Sequence, residues 1–262
     1  MVKLAAFGAF ALLSLASQVL AQTTVKVMPF GASIVSKCWR ANLQAKLKNS
    51  GIKNFDFVGS LSGTCGGNGV DQDHEGHSGS LATDYAKNGN LTVWLDKNPP
   101  DVVIMLLGTN DVLLGKKPVN DILAAYDVLL SQMRAKNAKM QIIFSNLLPL
   151  DPARWPQDGV NGIKTLNSAI ATYAPRKSTA QSPVTFVDNF AGFDAVSDTT
   201  DGEHPNDAGN EKMAKKFFQP TVNAVQVVAR SRKLLKGKRV TSVARREAMA
   251  NEVNEGTKES TV

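Results

Sequence analysis

Val102-Val103-Ile104-Met105-Leu106-Leu107-Gly108-Thr109-Asn110-Asp111 is the stretch from which the fold can be read. Val102 to Leu107 is a continuous aliphatic run, without the polar alternation of a strand that faces water on one side. It has the pattern of a strand buried on both faces, as in a parallel sheet covered by helices. Polar residues then follow at once, beginning at Gly108.

Working outward, Val25 to Met28, Phe55 to Val58, Gln141 to Ser145 and Val184 to Val187 read as further strands. Helical patterns lie between and after them. Trp39 to Lys48 places Leu43 and Leu47 on one face, and Pro118 to Lys136 carries a stripe of Ile122, Leu123, Tyr126, Leu129, Leu130 and Met133. Ile163 to Tyr173 and Asp207 to Phe218 continue the alternation. The expected class is α/β, a three-layer α/β/α sandwich with a central, mostly parallel sheet. Gly59 to Gly89 is different, rich in Gly, Ser, Asp and His, and reads as a long polar loop of functional character.

The chain has 262 residues, 43% hydrophobic and 20% charged, which excludes a disordered tail or a membrane bundle and allows a sizeable core. Its net charge of +7 would by itself suggest an anionic partner such as nucleic acid. The charge is unevenly placed, however. Residues 221–262 hold nine basic and four acidic groups, whereas residues 22–220 hold 20 basic and 19 acidic. A nearly neutral body therefore carries a basic tail, and without a phosphate-binding loop or base-stacking motif no nucleic-acid partner is expected. The tail reads as a solvated extension, with contact to anionic surfaces as the sharper alternative.

Lys3, the apolar run Leu4 to Ala16 and the exit Val19-Leu20-Ala21 form a secretory signal peptide pattern over residues 1–21, with cleavage after Ala21. The expected division is thus a signal peptide (1–21), one folded domain (22–220) and a mobile basic tail (221–262), in a secreted, extracellular protein without a transmembrane segment and acting as a monomer. In that oxidising compartment Cys38 and Cys65 are expected to pair, a closure worth roughly 3 kcal/mol in the chain-entropy model. Asn90-Leu91-Thr92 is an N-glycosylation acceptor if the source is eukaryotic.

Ligands of open α/β sheets bind at the carboxyl ends of strands. The first strand is followed there by Gly31-Ala32-Ser33 and the aliphatic strand by Gly108-Thr109-Asn110-Asp111. Asp201-Gly202-Glu203-His204-Pro205 precedes the last helix. A serine hydroxyl becomes a good nucleophile when a histidine takes its proton, and the histidine works best when a carboxylate fixes its tautomer. Of the three histidines His74, His77 and His204, only His204 has an acid three residues before it and a helix start after it. Asp73, His74, Glu75 and His77 crowd oxygen and imidazole donors together, but without the helical spacing that aims two histidines at one ion. They are read as loop structure or substrate contacts, and no metal or cofactor is expected. Trp39, Trp94 and Trp155 are assigned to packing ahead of sugar stacking.

These residues carry a resemblance. Gly31-Ala32-Ser33, Gly76-His77-Ser78-Gly79, Gly108-Thr109-Asn110-Asp111 and Asp201 to Asp207 are similar, in order, to the four sequence blocks of the SGNH (GDSL-type) hydrolase superfamily. Cys38-Trp39-Arg40, Asp56-Phe57-Val58-Gly59 and Glu75 to Gly79 further resemble carbohydrate esterase family three, which includes acetylxylan esterases. The resemblance implies a flavodoxin-like fold, with Ser33 as nucleophile, His204 as general base and Asp201 as its orienter. It also implies an oxyanion hole of the Ser33 and Gly79 amides and the Asn110 side chain, and an acetylated plant-wall polysaccharide such as xylan as substrate. Two positions depart from the pattern: Ala32 stands where the family carries an acid, and Ser80 where the acetylxylan esterase branch carries an aromatic residue. Two other functions use the same residues differently. A lysophospholipase or other lipid esterase would share the triad and add an apolar acyl groove, and a non-catalytic carbohydrate-binding protein would keep only the fold.

Overall fold

The computed structural model describes residues 24–259, so the expected signal peptide lies outside the described residues. The chain begins with β1 (Val25–Gly31), a 3-10 turn (Ser33–Ser36), α1 (Trp39–Asn49), β2 (Phe55–Phe57), β3 (Leu61–Ser62) and β4 (Asp73–Gly76). It continues with α2 (Ala82–Asn88), α3 (Asn90–Lys97), β5 (Val102–Leu106), α4 (Thr109–Leu113) and α5 (Val119–Lys136). β6 (Gln141–Ser145), α6 (Gln157–Arg176), β7 (Val184–Val187) and α7 (Asp207–Glu259) complete it.

All five residues of β5 are buried, as the uninterrupted aliphatic run requires. β5 lies between β1 and β6, parallel to both, and β7 extends the sheet beyond β6. On the far side of β1, β2 pairs with Val25–Val27 and β4 with Phe30 and Gly31, both parallel, so two short strands share one lane. Among the described strands of the sheet, only β3, paired with β4, runs antiparallel. α1 and α7 pack together, while α2, α3, α5 and α6 form a second packed group, the two helical layers of an α/β/α sandwich.

Three elements differ from the sequence reading. The polar stretch 59–89 is not one loop, because Ser60 hydrogen-bonds into β4 and the Asp111 carboxylate accepts the Ala82 and Thr83 amides at the start of α2. α6 starts at Gln157 rather than Ile163, and the disguise is Gly159 and Gly162. A Cβ at either would come within 3 Å of the Leu113 or Val112 side chain, so these glycines mark where α4 crosses closely, not a break in the helix.

The third difference corrects the domain boundary. The last helix does not end at Phe218 but runs 53 residues, and residues past 220 belong to the packed body. Thr221, Val222, Ala224 and Val225 are buried, and Arg232 binds Asp101 at 2.6 Å and the Thr24 carbonyl at 2.8 Å. Beyond Arg232 the described side chains of Lys233, Leu234, Leu235 and Lys238 are exposed. The helix therefore leaves the body near residue 233. Truncation after residue 220 should cost at least about 3 kcal/mol of stability, from two valines taken out of the core. Truncation after Leu235 should change it by less than about 0.5 kcal/mol. Urea unfolding of both variants checks this, and equal stabilities would contradict the corrected boundary.

Candidate active site

Three loops converge at the carboxyl ends of β1, β4 and β5. Ser33 opens the 3-10 turn directly after β1. Ala32 offers no side-chain cap there, and the turn is braced from other groups: Ser36 Oγ donates to the Ser33 carbonyl at 2.7 Å and Trp39 Nε1 to the Ile34 carbonyl at 2.9 Å.

His204 sits in a tight loop closed by a bridge between Thr199 and Pro205 and by the Thr200 amide on the His204 carbonyl. Asp201 organises its tip. One carboxylate oxygen accepts the His204 and Glu203 amides at 2.8 and 3.0 Å, and the other lies 2.7 Å from His204 Nδ1. Burial pushes the Asp201 carboxyl up, but these hydrogen bonds outweigh it and hold the group at about 2. An ionised Asp201 fixes the proton on Nδ1, leaving Nε2 as acceptor, and Nε2 lies 2.8 Å from Ser33 Oγ. Asn206 caps α7 through the Gly209 amide, so the histidine is fixed to a helix start.

The remaining donors come from the β4 and β5 loops. The His77 amide donates to the Gly31 carbonyl at 3.1 Å, which ties the loop after β4 to the strand that carries Ser33. Gly79 follows at φ +77°, a conformation that side chains rarely adopt, with open space where a Cβ would stand. Asn110, 7% exposed in α4, donates one amide hydrogen to the Ser80 carbonyl at 3.1 Å and keeps a second for another acceptor. Such an arrangement can deprotonate a hydroxyl and can offer an amide donor close to it.

Sequence reasoning gave Glu203 no separate role and read Glu75 only as loop structure or a substrate contact. Glu203, 6% exposed beside Asp201 and His204, has its carboxyl raised by burial against the attraction of His204 and Lys37. Glu75 is fully buried and accepts hydrogen bonds from the Ser60 amide and hydroxyl. Of the donor cluster, Glu75 and His77 pair with each other at 2.5 Å, while buried His74 accepts the Gly76 amide through Nδ1. Among the described residues no group of three or more His, Cys, Asp or Glu side chains converges to hold a metal. Trp39 is core, Trp94 stacks on His77 at 4.2 Å, and half-buried Trp155 keeps an unpartnered Nε1. Cys38 and Cys65 form the disulfide, and half-buried Asn90 opens α3. No helix among the described residues is long and apolar enough to cross a membrane.

Residues 30–212 match the profile of the GDSL-like lipase/acylhydrolase family. A multidomain esterase of Ruminococcus flavefaciens is 29% identical over 220 residues; the match covers 75% of this chain and only 28% of that protein's length. Among solved structures, a carbohydrate esterase family 3 protein from Talaromyces cellulolyticus is 34% identical at TM-score 0.70, over 78% of this chain and 99% of that one. An acetyl esterase crystallised as a serine-to-alanine mutant with acetate ion is 33% identical at TM-score 0.71, over 78% of this chain and all of its own.

Burial, then the Arg40 charge, lowers His74 to about 4. Between pH 6.5 and 4 the unfolded chain therefore binds a proton at this position that the folded chain refuses, and stability falls as pH falls, by up to about 1.4 kcal/mol per pH unit. His74→Asn keeps an acceptor for the Gly76 amide but does not titrate. Urea midpoints taken from pH 7 to pH 4 should fall less steeply for the variant, and parallel curves would contradict the assignment.

Proposed function

The chain belongs to the GDSL-like lipase/acylhydrolase family, and from that premise we propose that it is a secreted serine esterase, acting as a monomer and removing acetyl groups from plant-wall polysaccharide such as xylan. The observation that carries the reading is the relay Asp201–His204–Ser33, with both contacts under 3 Å. In the proposed course His204 Nε2 takes the Ser33 proton as Oγ attacks the ester carbonyl. Asp201 holds the imidazole in its working tautomer and stabilises the cation that forms. The oxyanion is received by the Ser33 and Gly79 amides and the Asn110 side chain, the term that usually contributes most to acyl transfer. His204 then protonates the leaving alcohol, and a water that it activates in turn hydrolyses the acyl-enzyme.

The acetyl and carbohydrate part of the reading is supported by the two esterase structures at 33 and 34% identity, each matched over nearly its whole length. The near-neutral body suits an uncharged ester. Asn90 is proposed as a glycan acceptor. The exposed basic side chains Arg230, Lys233 and Lys238 of α7 are proposed to contact anionic surfaces, in which case reversing their charge (R230E, K233E and K238E together) lowers retention on an anionic matrix without altering turnover.

An ester panel on wild type and Ser33→Ala tests the reaction and its acyl preference together. The expected result is turnover highest for acetyl esters and lower by roughly 10³-fold or more in Ser33→Ala. Asn110→Ala should lose roughly 10²- to 10³-fold in kcat. Undiminished turnover by Ser33→Ala would sink the mechanism, and preference for long acyl chains would favour the lipid esterase instead. Saccharide binding without turnover in the wild type would point to the non-catalytic alternative.

A further inference from the structure

Glu75 is a fully buried acid near the site, and the relay described above makes no use of it. Its Oε2 accepts the Ser60 amide at 2.8 Å, and its Oε1 lies 2.5 Å from both Ser60 Oγ and His77 Nε2. A buried carboxylate needs such partners, and three donors supply them. For His77, the consequence is orientation. Its ring is hydrogen-bonded at Nε2 and stacked on Trp94, with centroids 4.2 Å apart and planes 15° apart. Trp94 meets Tyr85 edge-on at 4.9 Å, and Tyr85 stacks on Phe30 of β1 at 5.7 Å. The imidazole is thus locked to the strand that leads to Ser33.

The His77 backbone is equally committed. Its amide donates to the Gly31 carbonyl, and its carbonyl accepts the Ser80 amide at 3.3 Å, closing a turn whose third residue is Gly79. The Ser80 carbonyl in turn receives Asn110 Nδ2. Side-chain locking of His77 therefore fixes the turn that presents the Gly79 amide and abuts Asn110. We propose that Glu75 and His77 are positioning residues for the oxyanion hole, a second acid–histidine pair that sets donor geometry while His204, oriented by Asp201, moves the proton. The proposal rests on the esterase reading above. Its physical basis is that an oxyanion donor acts only when it is preorganised at the developing charge, so a small displacement of the Gly79 turn weakens the transition state more than substrate binding.

The test compares His77→Phe, which keeps a ring over Trp94 and loses the bond to Glu75, with His77→Gln, which keeps an N–H near the position of Nε2. On an acetyl ester, His77→Phe is expected to lower kcat by about 10- to 100-fold with KM within about twofold. It should weaken by a similar factor a boronic acid that forms a tetrahedral adduct on Ser33. His77→Gln should recover most of both losses. A merely structural role would lower the unfolding midpoint and leave the kcat to KM split and the boronate affinity in place. Folded His77→Phe with wild-type kcat and boronate affinity overturns the proposal. Should His77→Phe fail to fold, Glu75→Gln, which keeps the shape and an acceptor for Ser60, is measured in its place against the same criteria. Ser33→Ala run alongside separates the two claims. Full activity there removes the esterase reading itself, whereas its loss with an unaffected His77→Phe removes only the positioning pair.

Discussion

The 2.8 Å contact between His204 Nε2 and Ser33 Oγ joins residues 171 positions apart, and the arrangement of the rest of the site depends on it. The seam between α1 and α7 holds the two together. The buried Asn210 side chain, in the first turn of α7, accepts the Trp39 amide at the first residue of α1. Trp39 then packs on Phe217 at 4.9 Å, and Lys46 pairs with Glu211. Because α1 begins six residues after Ser33 and α7 three residues after His204, fixing the helices against each other fixes the two loops. The disulfide from Cys38 to Cys65 anchors the same corner to the outer strands.

Charge is divided along the length of the strands. The relay and its neighbouring donors stand at the carboxyl ends of β1, β4 and β5, where Asp201 is held ionised by amides that point at it. At the amino ends, the Lys26 amide and the Arg232 guanidinium both bind Asp101, which docks the long helix on the side of the sheet away from the site. The helix segment that carries the exposed Arg230, Lys233 and Lys238 thus docks at the pole opposite the proposed chemistry.

Much of the fold was legible because its signals are local. The aliphatic run of β5, the limits of β6 and β7 and the stripe of α5 follow from periodicity and burial alone. The grouping of Ser33, Asn110 and His204 near one sheet edge follows from the rule that loops leave the carboxyl ends of parallel strands. What was not legible depends on distant partners. Gly159 and Gly162 look like breaks until α4 lies across them. Val222, Val225 and Arg232 look like a basic tail until Asp101 and the core receive them. Glu75 and His77 look like two polar residues of a loop, since nothing in the sequence says that Ser60 and Trp94 meet them. Asn210, which ties the helices, carries no sequence signal at all.

Everything proposed for the site requires that Ser33 be the nucleophile and that His204 activate it. Labelling with a fluorophosphonate ester, followed by peptide mapping, tests it directly, because this reagent bonds to an activated serine and stays. One adduct is expected, on Ser33 Oγ, formed quickly by the native protein and slowed severely in His204→Ala. An adduct on another residue, or labelling of Ser33 at an undiminished rate without His204, would contradict it.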